Sequence, residues 1–213
     1  MIPSRRAGDI LAGMWEATSG WGACPRTLVW DREAAIGGTG KLTAEAAGFA
    51  GTLGVRIKLA PARDPEFKGL VERRNGFFET SFLPGRTFAD LDDLNAQALH
   101  WCVEVANAKP KRSLGMASEA AFATEASCLR KLPAVLPPAY EVLDRVVDLY
   151  GFVSVDTNRY SVPERLVGKT VTAYKYYERI QVHYRGTVVA SHERVIAQRD
   201  VRRTLPGHHT VAQ

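Results

Sequence analysis

Apolar positions recur with a helical period through residues 9–18, where Ile10, Leu11, Met14 and Trp15 share one face and Asp9 stands near the start. Ser19-Gly20-Trp21-Gly22 breaks that run, and Leu28-Val29-Trp30 then reads as a short buried strand. Residues 37–40, Gly-Gly-Thr-Gly, predict a loop, and Leu42–Leu53 an alanine-rich helix. Val55-Arg56-Ile57-Lys58-Leu59 alternates apolar and basic residues, the pattern of a half-buried strand. A helix over Val71–Ser81 follows. Helix, strand, helix, strand, helix is the order of an α/β layer with helices packed on a sheet.

Thr87 is a candidate N-cap, with Asp90 at the third helical position. The helix it opens runs to about Asn107 and sets Leu91, Leu94, Ala98, Trp101, Cys102 and Val105 toward a core. A polar stretch, Ala108–Ser113, leads to a further helix over Ala117–Arg130. Leu132–Pro138 carries three prolines, which cannot donate backbone hydrogen bonds, and predicts a linker. Beyond it the period shortens to two. Val146–Val155, Arg159–Val162, Thr170–Tyr174, Arg179–Tyr184 and Thr187–His192 are short β-rich runs, parted by turns at Asp156-Thr157-Asn158, Tyr177-Glu178 and Arg185-Gly186. Five such strands predict a small closed or half-closed β-barrel. The expected domains are 1–131, an α/β core with trailing helices; 132–145, a linker; 146–200, the barrel; and 201–213, a tail.

Composition adds limits. At 213 residues and 46% hydrophobic, the chain suffices for one good core and a small second one. No uninterrupted apolar run is long enough for a transmembrane helix, and Met1–Arg6 is not followed by a signal-peptide core. Cys24, Cys102 and Cys128 are far apart and outside any metal spacing, which suggests reduced thiols in the cytoplasm. The net charge is +5, and residues 151–213 hold ten Lys and Arg against five Asp and Glu, while residues 1–150 balance. The surplus therefore marks the C-terminal part as a polyanion-facing module, or simply as a well-solvated basic surface.

Two carboxylates stand out. Asp31 ends the apolar run Thr27–Trp30, and Glu72 lies in Asp64-Pro65-Glu66-Phe67-Lys68-Gly69-Leu70-Val71-Glu72-Arg73-Arg74-Asn75, a loop running into a helix. Acids at a strand end and at the start of a later helix can be aimed at Mg²⁺, which activates a water or a 3′-hydroxyl against a phosphodiester. The plainer alternative is a turn acid and a first-turn helix acid favoured by the dipole. Gly37-Gly38-Thr39-Gly40-Lys41 invites a phosphate-loop reading, but Ala35 and Leu42 stand where Gly and Ser or Thr are required. It reads better as a flexible loop beside the acid.

Pro65, Lys68-Gly69, Val71-Glu72-Arg73 and Asn75 resemble the signature around the last acid of the retroviral-integrase-like (DDE) transposases. Leu28–Glu33 resembles that family's strand bearing the second acid. The Phe88–Asn107 helix with Trp101, and the β-rich segment after it, resemble the IstA-type bacterial insertion-sequence subgroup, over roughly residues 9–200.

This resemblance implies a partial RNase H-like (integrase catalytic core) layer and metal-dependent strand transfer in DNA integration. Asp31 and Glu72 would be catalytic, Mg²⁺-ligating residues. It also implies DNA at transposon ends and targets as partner, a helper ATPase, a homo-oligomer and a nucleoid location. In that fold the first Asp lies on the first strand, and three strands should precede the Asp9–Thr18 helix, where eight residues stand here. Asp9 reads as a helix-start residue, so the chain is expected to be N-terminally truncated and catalytically incomplete. Two ions about 3.5–4 Å apart need carboxylates on both sides. Unneutralised carboxylates about 4 Å apart repel by roughly 4 kcal/mol at an effective dielectric of about 20.

Candidate DNA contacts are Arg56, Lys58, Arg63, Lys68 and Arg73 near the acids, and Arg159, Lys169, Lys175, Arg179 and Arg185 in the barrel. The barrel cations, with Arg165, are interleaved with Tyr160, Tyr174, Tyr176, Tyr177 and Tyr184, a combination suited to nucleic acid unless the rings are merely core and rim. His208-His209 lies in a polar tail and reads as disordered rather than metal-binding. The rival reading is a non-catalytic DNA-binding or assembly module acting through the barrel.

Overall fold

The computed structural model of the chain describes residues 1–61, 65–135, 137 and 139–208, with backbone alone for residues 65–68 and 70. Arg63 thus lies outside the described residues, as do His209 and the side chain of Lys68. Two compact units form, one from Met1–Ile2 and Glu16–Pro137, the other from Pro3–Trp15 and Pro138 onward. The helix α1 (Ala7–Trp21) therefore gives its first part to the second unit and its end to the first. The architecture is mixed α/β.

In the first unit, β1 (Ala23–Cys24) leads to β2 (Thr27–Trp30), α2 (Ala44–Leu53) and β3 (Arg56–Leu59). β2 and β3 pair in parallel, Thr27 with Arg56 through Trp30 with Leu59, which requires a crossover, and α2 supplies it. Thr43 caps α2 by accepting from the Ala46 N–H, and Gly54 ends it at φ 65°, a left-handed position that glycine adopts freely. Ala46, Phe49, Ala50 and Leu53 are buried along the helix, as are Val55 and Ile57 on and before β3, while Arg56 and Lys58 face outward. β2 is less covered than its apolar run predicts, with Val29 half exposed. The glycine loop is a hydrogen-bonded turn. Gly37 N–H donates to Glu33 O at 2.8 Å and Gly40 N–H to Gly37 O at 2.9 Å, with Ile36 fully buried between them.

The next helix, α3 (Pro65–Ser81), starts six residues before its predicted start at Val71. Proline is well placed at a first helical position, where its missing N–H has no partner to lose. α4 (Leu91–Trp101) is capped by Asp90, not Thr87: Asp90 Oδ1 accepts from Asp93 N–H at 2.8 Å, and Asp93 Oδ2 in turn accepts from Ala89 N–H at 2.9 Å. A wider π-helical turn, Cys102–Asn107, continues it. Phe82, Trp101 and Ala106 form an aromatic core with Phe77, Phe78 and Phe88. Beyond lie β4 (Pro110–Lys111), β5 (Met116–Ala117), α5 (Ser118–Glu125) and β6 (Arg130–Lys131), and β6 pairs back to β1.

The second unit is built on two sheets. β7 (Glu141–Val146), β10 (Thr170–Lys175), β11 (Arg179–Tyr184) and β12 (Thr187–Glu193) form one, in the order β12-β11-β10-β7. β8 (Phe152–Val155), β9 (Asn158–Ser161) and β13 (Arg202–Arg203) form the other, in the order β13-β9-β8. Of the expected closed or half-closed barrel, this division corrects the closed form: among the described residues, no sheet closes on itself. The predicted run Val146–Val155 breaks because Asp148 Oδ1 accepts from both Tyr150 and Phe152 N–H at 2.9 Å, turning the chain out of β7 into the other sheet. β7 itself runs through residues that the prolines had suggested were linker. Val153, Val155, Tyr160 and Val162 from one sheet and Val171, Ala173, Ile180, Val182 and Ala190 from the other share a single buried core. The hairpin turns Asp156-Thr157 and Arg185-Gly186 have positive φ at both central residues, the geometry that matches strand twist.

Candidate functional site

Asp31 follows the last residue of β2 at the C-terminal end of the parallel pair, and Glu72 lies in α3, the helix that follows β3. Both are exposed. Asp31 Oδ1 accepts from the Arg32 N–H at 2.8 Å, and Arg32 Nε donates to Ala60 O at 3.1 Å, which fixes the backbone beyond both strand ends. Glu72 is the eighth residue of α3, beyond the first turn, so the dipole explanation of a helix-start acid does not apply to it. Oxygen donors suit Mg²⁺ in kind. In number they fall short of a two-metal site: among the described residues, no group of three or more His, Cys, Asp or Glu side chains is placed to hold a metal. Arg56, Lys58 and Arg73 are exposed near these elements, with Arg73 Nε donating to Gly69 O at 3.3 Å within the helix.

The other early acid, Asp9, belongs to a different structure. It is 2% exposed in the first turn of α1 and forms a two-pronged ion pair with Arg194, at 2.5 and 3.0 Å. Burial alone would push its pKa up, but hydrogen bonds from Arg194 and Ser4 and the charges of Arg194 and Lys175 outweigh it and lower the pKa. Arg194 also reaches Asp156 at 3.4 Å, and its own pKa is raised by Asp9 and Asp156 against the opposing effect of burial. Lys175 Nζ lies 2.7 Å from Asp156 and 3.4 Å from Glu141, and Arg6 completes the set on Glu141 and Asp156. Three cations and three anions are thus matched, and an added Cβ at Gly8, beside Asp9 in sequence, would meet the Glu141 backbone at 3.1 Å.

This corrects the sequence assignment of Lys175 as a DNA contact. Its side chain is 2% exposed and holds the unit together. The period-two pattern Val171, Ala173, Lys175 carried that information, since all three face inward.

The remaining barrel candidates lie outside. Arg179 and Arg185 are exposed and sit over the rings of Tyr176 and Tyr184, at 4.7 and 5.3 Å. Lys169 and Arg165 are exposed. Tyr174 lies between Tyr140 and His183, with centroids 5.5 and 4.5 Å away, and Tyr140 also meets Tyr176 at 5.2 Å, forming a ring row on the outer face of the four-stranded sheet. Tyr160 is not part of any surface: it is 1% exposed and its hydroxyl accepts from Val195 N–H at 3.0 Å. His208 has partners within the unit: its Nδ1 pairs with Ser161 Oγ at 2.8 Å and its carbonyl accepts from Glu164 N–H.

Sequence reasoning missed Arg145 and Arg202. Arg145 Nε donates to Ser154 O at 2.9 Å; Ser154 opposes Arg159, and Arg159 opposes Arg202. Arg145 was hidden in the presumed linker and Arg202 in the presumed tail.

Residues 132–204 match the family described as Mu transposase, C-terminal domain. The chain is 34% identical over 143 residues to a protein of Mycobacterium tuberculosis provisionally named a transposase, covering 63% of this chain and 33% of that one. It is 31% identical over 144 residues to the transposase for insertion sequence element IS21 of Pseudomonas aeruginosa, covering 67% and 37%. With the transposase for insertion sequence element IS232 of Bacillus thuringiensis subsp. berliner it shares 26% over 202 residues, covering 89% and 46%. The chain spans between a third and a half of the length of these relatives. By its C-terminal match and by these relatives, the chain is similar, over part of their length, to insertion-sequence transposases.

Proposed function

We propose that this chain is the DNA-holding part of a DDE-type insertion-sequence transposase, binding duplex DNA through its C-terminal unit and not cutting it by itself. The carrying observation is a coincidence of position. The segment matched to the Mu transposase C-terminal domain overlaps the residues that hold the chain's whole net positive charge. A surface of that sign attracts phosphates and releases their counterions.

The parent reaction on this reading is metal-dependent strand transfer. β2, α2, β3 and α3 would be part of an RNase H-like layer, with Asp31 and Glu72 as its carboxylates and Arg56, Lys58, Arg63, Lys68 and Arg73 beside the DNA. Two considerations support the absence of cutting by this chain alone. Among the described residues the carboxylates are too few for two ions, and Asp9 is committed to Arg194. Mg²⁺ binding at the pair is therefore expected to be weak, and no chemical step is assigned to it. Self-association, a helper ATPase and a nucleoid location follow from the same reading.

The test uses the whole chain with a labelled duplex and a supercoiled plasmid. The duplex should be retarded in a gel without Mg²⁺, and the plasmid should stay supercoiled with it. Absence of retardation refutes DNA binding; Mg²⁺-dependent nicking that Asp31→Asn abolishes refutes the non-cutting part.

A further inference from the structure

The three-stranded sheet of the second unit sets two arginines side by side, and among the described residues neither makes an ion pair with a carboxylate. Arg159 on β9 and Arg202 on β13 are direct cross-strand partners. Like charges placed opposite each other in a sheet are destabilising, so such a pair needs a reason. Across β9, Arg159 opposes Ser154 of β8, and the carbonyl of Ser154 accepts from Arg145 Nε at 2.9 Å. Adjacent strands lie about 4.8 Å apart, which sets Arg159 and Arg202 side by side on the three-stranded sheet, while Arg145, on β7 of the four-stranded sheet, reaches Ser154 of the three-stranded sheet through its side chain. Among the described residues, none of the three makes an ion pair with a carboxylate. Inside the same unit, Arg194 and Lys175 are matched by Asp9, Asp156 and Glu141.

The pair Arg159 and Arg202 is also deliberately held. Asn158, 1% exposed, accepts from Val201 N–H at 3.0 Å and donates to Gln198 O at 3.1 Å, and Arg159 N–H donates to Val201 O at 2.9 Å. These bonds clamp the segment before β13 against β9 and so bring Arg202 beside Arg159. Arg145 is anchored separately, by Ser154 O and by its own strand at Asp144 O, 2.8 Å away. Arg179 and Arg185, the surface arginines that the sequence favours, instead lie over tyrosine rings.

We infer that Arg145, Arg159 and Arg202 are the phosphate-tracking surface of this chain, and that its ligand is the backbone of duplex DNA. The inference rests on the DNA-binding reading above and names its site. Guanidinium groups match phosphate oxygens in pairs, and donors side by side across strands suit the successive phosphates of a linear polyanion.

The test is the salt dependence of binding, measured by fluorescence polarisation with the whole chain and a labelled duplex of about 20 base pairs. Each phosphate contact contributes about 0.9 to the slope of log affinity against log salt. The double variant Arg159→Gln/Arg202→Gln should reduce that slope by about 1.8, and Arg159→Lys/Arg202→Lys should largely restore it. Arg112→Gln/Lys131→Gln, which removes two exposed cations of the first unit, should leave it unchanged. Urea unfolding checks that each variant folds; should the double variant not fold, Arg202→Gln alone, on an exposed edge strand, should remove about 0.9. An unchanged slope in Arg159→Gln/Arg202→Gln, with wild-type binding intact, overturns this site and leaves DNA binding standing. Absence of duplex binding by the wild type overturns both. Displacement of the duplex by polyglutamate at equal charge concentration would point to an acidic protein partner and overturn the choice of DNA.

Discussion

Replacing Asp9 by Asn should expose how much the second unit depends on one ion pair. The carboxylate meets Arg194 at 2.5 and 3.0 Å, with the two side chains 2% and 4% exposed. Removing one partner of a buried pair typically costs about 3–5 kcal/mol, because the other charge stays desolvated. Arg194 keeps Asp156 at 3.4 Å and the Tyr176 carbonyl at 3.2 Å, so the lower end, about 3 kcal/mol, is expected. With a urea dependence of about 1–3 kcal/mol per molar, the midpoint should fall by about 1–3 M. The pH dependence gives a second signature. The folded pKa of Asp9 is below its ordinary 3.8, so its contribution is complete above 3.8 and is lost as pH falls through the folded value. Asp9→Asn should flatten that acid limb. Urea unfolding followed by far-ultraviolet circular dichroism, at neutral pH and at about pH 3, measures both effects. Asp9→Leu combined with Arg194→Met should recover part of the loss, since neither charge then remains buried. A midpoint within about 0.3 M of wild type for Asp9→Asn would refute the reasoning.

Three other outcomes follow from the structure. Asn158→Ala leaves Val201 N–H and Gln198 O without their partner and should cost about 1–3 kcal/mol in urea unfolding, weakening the clamp on β13. Burial lowers the pKa of His192, against a bond of 2.7 Å to Ser161 O and with the charge of His208 acting in the same direction as burial. Its stabilisation is therefore complete above 6.5 and is lost as pH falls through its lower folded value, and His192→Gln should flatten stability across that window. Asp90→Ala removes the acceptor for Asp93 N–H and should cost about 1 kcal/mol, read from thermal unfolding of the helical signal.

Much of the fold can be read from side-chain period alone, and the exceptions have physical causes. β10 and β11 alternate cleanly because their inward positions are Val171, Ala173, Ile180 and Val182. β7 hides because its alternation is inverted. Glu141 and Arg145 are more covered than Val142 and Val146, held by ion pairs and by a strand-edge carbonyl rather than by apolar burial. Pro65 and Gly69 read as loop residues, yet one opens α3 and the other lies within it. Asp9 was legible as a helix-start residue, but its partner stands 185 positions away, beyond any local pattern. Of the site, the acids Asp31 and Glu72 stand out by their motif, and the basic half by its charge surplus. Which arginines stand side by side depends on long-range pairing of β13 with β9, which no local spacing encodes.

The most direct measurement of the central claim is the affinity of the intact wild-type chain for duplex DNA at increasing salt. The account predicts binding that weakens linearly on a double-logarithmic plot, with a slope of at least about −2.7 from three phosphate contacts. A chain that fails to bind duplex DNA at low salt, or binds it with an affinity indifferent to salt, would contradict it.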